Sequence, residues 1–395
     1  MENRKPARRI TPRFDLNPIF GFLFSIPVCC LLCGCAAPGE PQPPRPTVPE
    51  AISDLAARQA GDNVVLTFTL PGNAVDGQPL TAPPAVEIYR GMVPAGAAQG
   101  KLSTRLVYTI PAALVDTYLT EGRVRFVDPL KPEEIAEHAG EQWVYMVRTR
   151  ASKRRASADS NIAAARVYPV AERIADLRAE VTETAVELSW SPPGRTTAGA
   201  PLAALAGYRV YRAEVEPDAE AAAAKDPSTA KLKTPLELLG PAPAAAFRDT
   251  RFEFGRTYLY TVRSVLQYEA DSAESSDSKP VVVTPRDIFP PAAPKGVVAV
   301  LVPATPETPA QIELSWGISL EADWAGYHVN RSEQTDTAGE RLTRQLLLTP
   351  TFRDMSALPG RRYTYRVTAL DRAGNESPPS DAVAAEVPPA AASEP

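Results

Sequence analysis

Beyond residue 35 this sequence contains no cysteine: all four, Cys29, Cys30, Cys33 and Cys35, fall in its opening stretch. No disulfide can therefore staple the body, and its cores must hold by packing alone. Histidine is nearly as scarce, with only His138 and His328. Metal centres of the His/Cys kind need several such ligands converging, so neither a metal nor any other cofactor is expected. A phosphate-cradling glycine loop and a dinucleotide fingerprint are both missing. Positive charge is not in excess either. The formal charge is −5, and setting aside residues 1–34 leaves 37 basic and 45 acidic residues, a charge of −8. An acidic body gives no reason to expect a nucleic-acid partner.

What is present is apolar content and proline. Hydrophobic residues make up 44% of 395, and proline occurs 42 times. The length suggests two to four domains. Proline breaks helix interiors and sheet ladders, so an apolar but proline-dense chain predicts short strands bounded by loops.

The amino terminus carries an address. Arg4, Lys5, Arg8, Arg9 and Arg13 precede an uncharged run, Ile19–Leu32, followed by Leu32-Cys33-Gly34-Cys35 and a proline-rich stretch. A basic start, an apolar run and small residues at a cut site describe a secretory signal peptide. The last four residues resemble the bacterial lipobox, with Cys33 a mild departure from its usual small residues. That resemblance implies that Cys35 carries a diacylglycerol thioether and becomes the first mature residue. An uncleaved span over residues 18–37 and an ordinary signal peptide fit the same run, and all three place the body outside the cytoplasm. Residues 35–49 are dense in proline and predict a semi-rigid extended tether.

The body repeats itself: an opening strand reads Ile52-Ser-Asp54-Leu55-Ala-Ala57, Ile174-Ala-Asp176-Leu177-Arg-Ala179 and Gly296-Val297-Val-Ala299, with Leu55 and Leu177 spaced by 122 residues and Leu177 and Val297 by 120. A second strand reads Val64-Val-Leu66-Thr-Phe68, Val186-Glu-Leu188-Ser-Trp190 and Ile312-Glu-Leu314-Ser-Trp316. Alternation in the last two marks one buried and one wet face. A third strand follows at Ile88-Tyr89-Arg90, Val210-Tyr211-Arg212 and Val329-Asn330-Arg331, then Phe126-Val-Asp128, Phe247-Arg-Asp249 and Phe352-Arg-Asp354. The last row is Trp143-x-Tyr145-x-Val147, Tyr258-x-Tyr260-x-Val262 and Tyr363-x-Tyr365-x-Val367.

These blocks resemble fibronectin type III domains. The resemblance implies an all-β protein of three tandem seven-stranded, immunoglobulin-like sandwiches at 50–169, 170–286 and 287–388, after the signal peptide 1–34 and tether 35–49, with a disordered tail at 389–395. It matches Trp190 and Trp316 to the family's core tryptophan, and Tyr258 and Tyr363 to its tyrosine corner. The first block departs, with Phe68 and Trp143 in those places, and an indole cannot replace the corner hydroxyl. The insertion at residues 213–233 is expected to be a mobile loop with one helical turn.

Chemistry is sparse. By strand parity His328 faces outward and is expected to be solvated, as is His138 in a polar insertion. Glu133, Glu134 and Glu137, and Glu214, Glu216, Asp218 and Glu220, form loop charge runs, which are usually solvated faces. They leave a glycoside hydrolase as a remote third reading. One cationic feature stands out in the acidic body: Arg148 and Arg150 lead into Lys153-Arg154-Arg155, a candidate contact for an anionic surface. The main expectation is a non-catalytic, membrane-anchored lipoprotein of the bacterial cell envelope, at the outer membrane or cell surface, binding or spacing envelope proteins. The alternative is an accessory protein that binds carbohydrate or cell wall, with Tyr89, Tyr211 and Trp324 as candidate aromatic platforms.

Overall fold

The computed structural model describes residues 47–93, 103–202, 205–269, 271–333 and 339–389. Cys35, the signal segment and residues 390–395 lie outside them. The described chain is nearly all antiparallel β-sheet, in three pairs of small sheets that form tandem β-sandwiches. Among the described residues no helix is long and apolar enough to cross a membrane.

In the first sandwich one sheet runs Ala56–Ala60, Asn63–Phe68, Arg123–Pro129 and Leu119–Thr120. The other centres on Ala85–Val93 and Gln142–Ser152, flanked by Arg105–Ile110 on one side and by Arg155–Ala156 and Ala163–Arg166 on the other. The second sandwich pairs Arg178–Val181, Val186–Ser189 and Ala246–Asp249 against a sheet built on Leu205–Glu214 and Tyr258–Tyr268. The third repeats this with Val298–Val302, Gln311–Ser315 and Thr351–Asp354 against Trp324–Ser332 and Arg362–Asp371. Alternation of side chains drives the layering. Arg123–Pro129 is exposed and buried by turns along its whole length, and in Val186–Ser189 the buried Val186 and Leu188 alternate with the exposed Glu187 and Ser189.

Each core closes on aromatic rings. Trp190 meets Tyr208 edge-on at 5.1 Å, and Trp316 meets Tyr327 the same way at 5.3 Å. The first core uses Phe68, Trp143 and Tyr145 instead. Each such ring takes roughly 150–250 Å² out of water, worth about 4–6 kcal/mol at about 25 cal/mol per Å². Two of the aromatic rings also hold backbone upstream of them. Tyr258 Oη accepts the Glu253 N–H at 3.0 Å and Tyr363 Oη accepts the Leu358 N–H at 3.1 Å, whereas the buried Trp143 Nε1 has no partner.

An Arg–Asp–Tyr triad recurs beside each core. Asp128 Oδ2 takes Arg90 at 3.0 Å and the Tyr145 hydroxyl at 2.8 Å. Asp249 takes Arg212 at 2.7 Å and Tyr260 at 2.9 Å, and Asp354 takes Arg331 at 2.8 Å and Tyr365 at 2.7 Å. Each arginine also lies over the corner aromatic: Trp143, Tyr258 or Tyr363.

Three sequence expectations need correcting. The first ladder begins later than the motif, at Ala56 rather than Ile52, because the Asn161 side chain takes both the N–H and C=O of Leu55 at 2.9 Å. Residues 213–233 carry more regular structure than a loop with one helical turn: they hold a helix, Glu220–Lys225, between two 3-10 turns. A satellite cluster of Val215, Ala219, Ala223 and Leu259 pins it to the sheet. His328 is not solvated but 8% exposed, with Nδ1 2.9 Å from Thr343 Oγ1. Parity put it on the outer face correctly, but the segment carrying Arg341 and Thr343 covers that face.

The last strand of each sandwich is broken by a Ser-x-x-Ser step that the sequence reading missed. Ser160 and Ser157 Oγ accept the N–H groups of Val147 and Thr149 at 2.9 and 3.0 Å. Ser278 and Ser275 do the same for Val262 and Ser264, and Ser380 and Ser377 for Val367 and Ala369. Serine recurring three residues apart just after each corner strand was the available signal.

Candidate functional site

Two surfaces combine unusual chemistry with a defined place in the fold. The first is the basic hairpin of the first sandwich. Ala85 pairs with Arg150, and Ala74 bridges to Pro49, so this hairpin tip shares a pole with the start of the described chain. The structure divides its five cations into two groups. Arg150 grips Glu87 with two bonds of 2.7 and 3.0 Å. Arg148 donates from Nε to Asp159 at 2.9 Å and lies 5.4 Å over the Tyr89 ring. The hydrogen bonds from Arg150 hold the Glu87 carboxyl below its ordinary range. Both arginines are thus neutralised, while Lys153 and Arg154 are exposed at the tip, followed by a half-buried Arg155.

The second surface is an open cleft of about 970 Å³ between the first and second sandwiches. Tyr168, leaving the first sandwich, stacks on Tyr268 at 4.5 Å and donates to Asp271 at 2.7 Å. The Gln59 side chain bonds both the N–H and C=O of Tyr168, at 3.0 and 2.6 Å. Thr197 reaches across to Asp62 at 2.7 Å, and the Gly61 N–H reaches Glu274 O at 3.3 Å. Gly61 has φ +62°, and a Cβ there would strike Ser276. Burial pushes the Asp62 carboxyl up, against the bond from Thr197, and the charge of Glu133 adds to the rise.

The far wall of the cleft is a charge network. Arg209 and Arg263 stand directly opposite each other on adjacent strands, an arrangement that repels unless an anion intervenes. Glu274 supplies it, bonded by Arg209, by Arg263 at 3.2 Å and by the Tyr211 hydroxyl at 2.9 Å. Burial opposes ionisation of Glu274, yet the bonds from Tyr211 and Arg263 and the charge of Arg209 outweigh it and keep the carboxyl low.

Each predicted aromatic platform has a face occupied. Arg148 covers Tyr89, Arg263 lies 4.2 Å over Tyr211, and Trp324 packs 5.0 Å from Tyr327. None is free on both sides to stack on a sugar. Two acids of the second acidic run are committed, Glu214 bound by Lys233 at 2.9 Å and Glu220 accepting from Thr284 at 2.8 Å, while Glu133 and Glu137 of the first run are exposed. His138 lies 3.3 Å from Glu141. Among the described residues, Asp287, Asp323 and Asp371 form the group whose carboxylates, within 4.8 Å of one another, could hold a cation. Asn375 already donates to both Asp371 oxygens at 2.8 Å.

No family model matches the chain. It is 28% identical over 210 residues to Exoglucanase B of Cellulomonas fimi. The match covers 51% of this chain and 15% of that protein, so most of the exoglucanase has no counterpart here.

Proposed function

We propose that this protein is a non-catalytic, envelope-attached accessory module that engages carbohydrate or cell-wall polymer. The likeness to part of an exoglucanase carries this reading, because it ties half of the chain to a protein named for acting on a glucan. The cleft supports it. Guanidinium and carboxylate groups are planar and offer paired donors or acceptors, which suit the neighbouring hydroxyls of a sugar. In this reading the sandwiches are fibronectin type III modules, supported by the corner tyrosines Tyr258 and Tyr363. The chain is held to the membrane by lipid on Cys35, supported by the Leu32–Cys35 motif.

Cosedimentation of the full-length chain, purified in detergent, with insoluble glucan and with peptidoglycan sacculi tests the function. Retention on either is expected, and a chain that stays in the supernatant with both ends the proposal. Mass spectrometry of the amino-terminal peptide from native membranes tests the anchor. A diacylglycerol adduct on Cys35 is expected, and an unmodified thiol excludes it. A purely protein-binding or spacing role is the second reading, favoured by the tight joint between the first two sandwiches.

A further inference from the structure

The cleft between the first two sandwiches holds more cation than its own carboxylates match. Six arginines line it: Arg58, Arg125, Arg166, Arg173, Arg209 and Arg263. Against them stand Asp62, Asp271, Glu274 and Asp277. Three of these acids are already engaged, Asp271 by Arg166 at 3.5 Å, Asp277 by Arg263 at 2.6 Å, and Glu274 by Arg209 and Arg263. The fourth, Asp62, is bonded to Thr197. Among the described residues Arg58 and Arg125 have no carboxylate partner, and Arg173 donates to the Ser278 carbonyl at 2.9 Å.

Strand register explains why these charges meet. Arg58 stands opposite Val65, and Val65 opposite Val127, so Arg58, Val65, Val127 and Arg125 share the outward face of one sheet. The joint at Tyr168 sets that face against the Arg209–Arg263 pair of the next sandwich. A cleft with an excess of one sign of charge concentrates ligands of the other. Here that sign runs against the −8 of the whole body.

We infer that this cleft binds a glycan bearing anionic groups, held by Arg58 and Arg125 on one wall and facing the Arg209–Glu274–Arg263 network on the other. This rests on the carbohydrate reading above and narrows its ligand class. The anionic group has two possible sources, a uronate carboxylate or a phosphodiester in the polymer backbone, and both meet guanidinium groups in the same two-bonded way.

Titration calorimetry of the full-length chain in detergent tests this with oligogalacturonate, a glycerol-phosphate oligomer and a neutral cello-oligosaccharide. Binding of at least one anionic ligand is expected, weakening as salt rises and falling at least tenfold in R58S/R125S. The carboxylate and phosphate arms identify the source. The K153S/R154S/R155S variant, altered at the remote hairpin, should bind as the native chain does. Neutral-ligand binding that matches the anionic arms and ignores R58S/R125S overturns the inference while leaving the carbohydrate role intact. Anionic binding that R58S/R125S leaves unchanged, or that the hairpin variant abolishes, overturns the cleft as its site. No binding in any arm, together with no retention on glucan or sacculi, removes both.

Discussion

Tyr365 donates its hydroxyl to Asp354 Oδ2 at 2.7 Å, on the same oxygen that pairs with Arg331 at 2.8 Å. Burial opposes the charge on Asp354, but bonds from Tyr365, Ser356 and Arg331 outweigh it and hold the carboxyl below its ordinary 3.8. A lowered folded value means that this stabilisation is complete above about 3.8 and fades as pH falls through the folded value. Tyr365→Phe should therefore cost about 1.5–3 kcal/mol at pH 7, the range for a hydrogen bond to a charged group. The deficit should shrink in acid. Urea unfolding of both proteins at pH 7 and pH 3 measures it, and an equal deficit at both would contradict the argument.

His328 makes the third sandwich sensitive near neutrality. Burial lowers its pKa from 6.5, the nearby Arg341 lowers it further, and Glu376 only partly offsets this. Thr343 and Thr368 are the uncharged groups beside it. Because the folded value is depressed, stability is complete above about 6.5 and falls as pH drops from there toward the folded value. Calorimetric melting between pH 7.5 and 5 should show this decline, and H328N should flatten it.

The joint between the first two sandwiches depends on Tyr168. Y168A removes the stack on Tyr268, the bond to Asp271 and the surface that the Gln59 clamp holds in place. Amide exchange at Gly61 and Thr197 should accelerate at least tenfold, while the core strands around Val64 and Val262 stay protected. Unchanged exchange at Gly61 would mean that the contact is incidental.

The basic hairpin should behave as two separate groups. Each cation near an anionic membrane contributes about 1 kcal/mol, so K153S/R154S/R155S should weaken binding to phosphatidylserine vesicles about a hundredfold at low salt. R148S should change vesicle binding little, because Asp159 already neutralises Arg148. Flotation with vesicles of graded charge separates the two outcomes.

Strands were legible in the sequence because a period of two leaves its mark residue by residue, and the large rings at Trp190, Trp316, Tyr258 and Tyr363 fixed their order. Alternation says which face a residue occupies but not what lies on top of it. That is why His328 looked wet until Thr343 was seen covering it. Arg150 reads as free charge in the sequence because Glu87 lies 63 residues away and no local pattern joins them, and Arg148 because its partner Asp159 sits 11 residues on, across the hairpin. The helix at Glu220–Lys225 buries Ala223 and the turn before it Ala219, alanines too small to stand out from a polar run. The cleft had no local signature at all, since it arises where one sandwich's outer face meets the next at Tyr168.

The serine steps have an effect beyond their own hydrogen bonds. At Ser157–Ser160, Ser275–Ser278 and Ser377–Ser380 hydroxyls take the inner strand's N–H groups in place of outer-strand carbonyls, so the outermost strand breaks its regular ladder there. An intact border would be an open template for sheet extension between molecules. With that border interrupted in every sandwich, each offers another copy a shorter and less regular edge on that side.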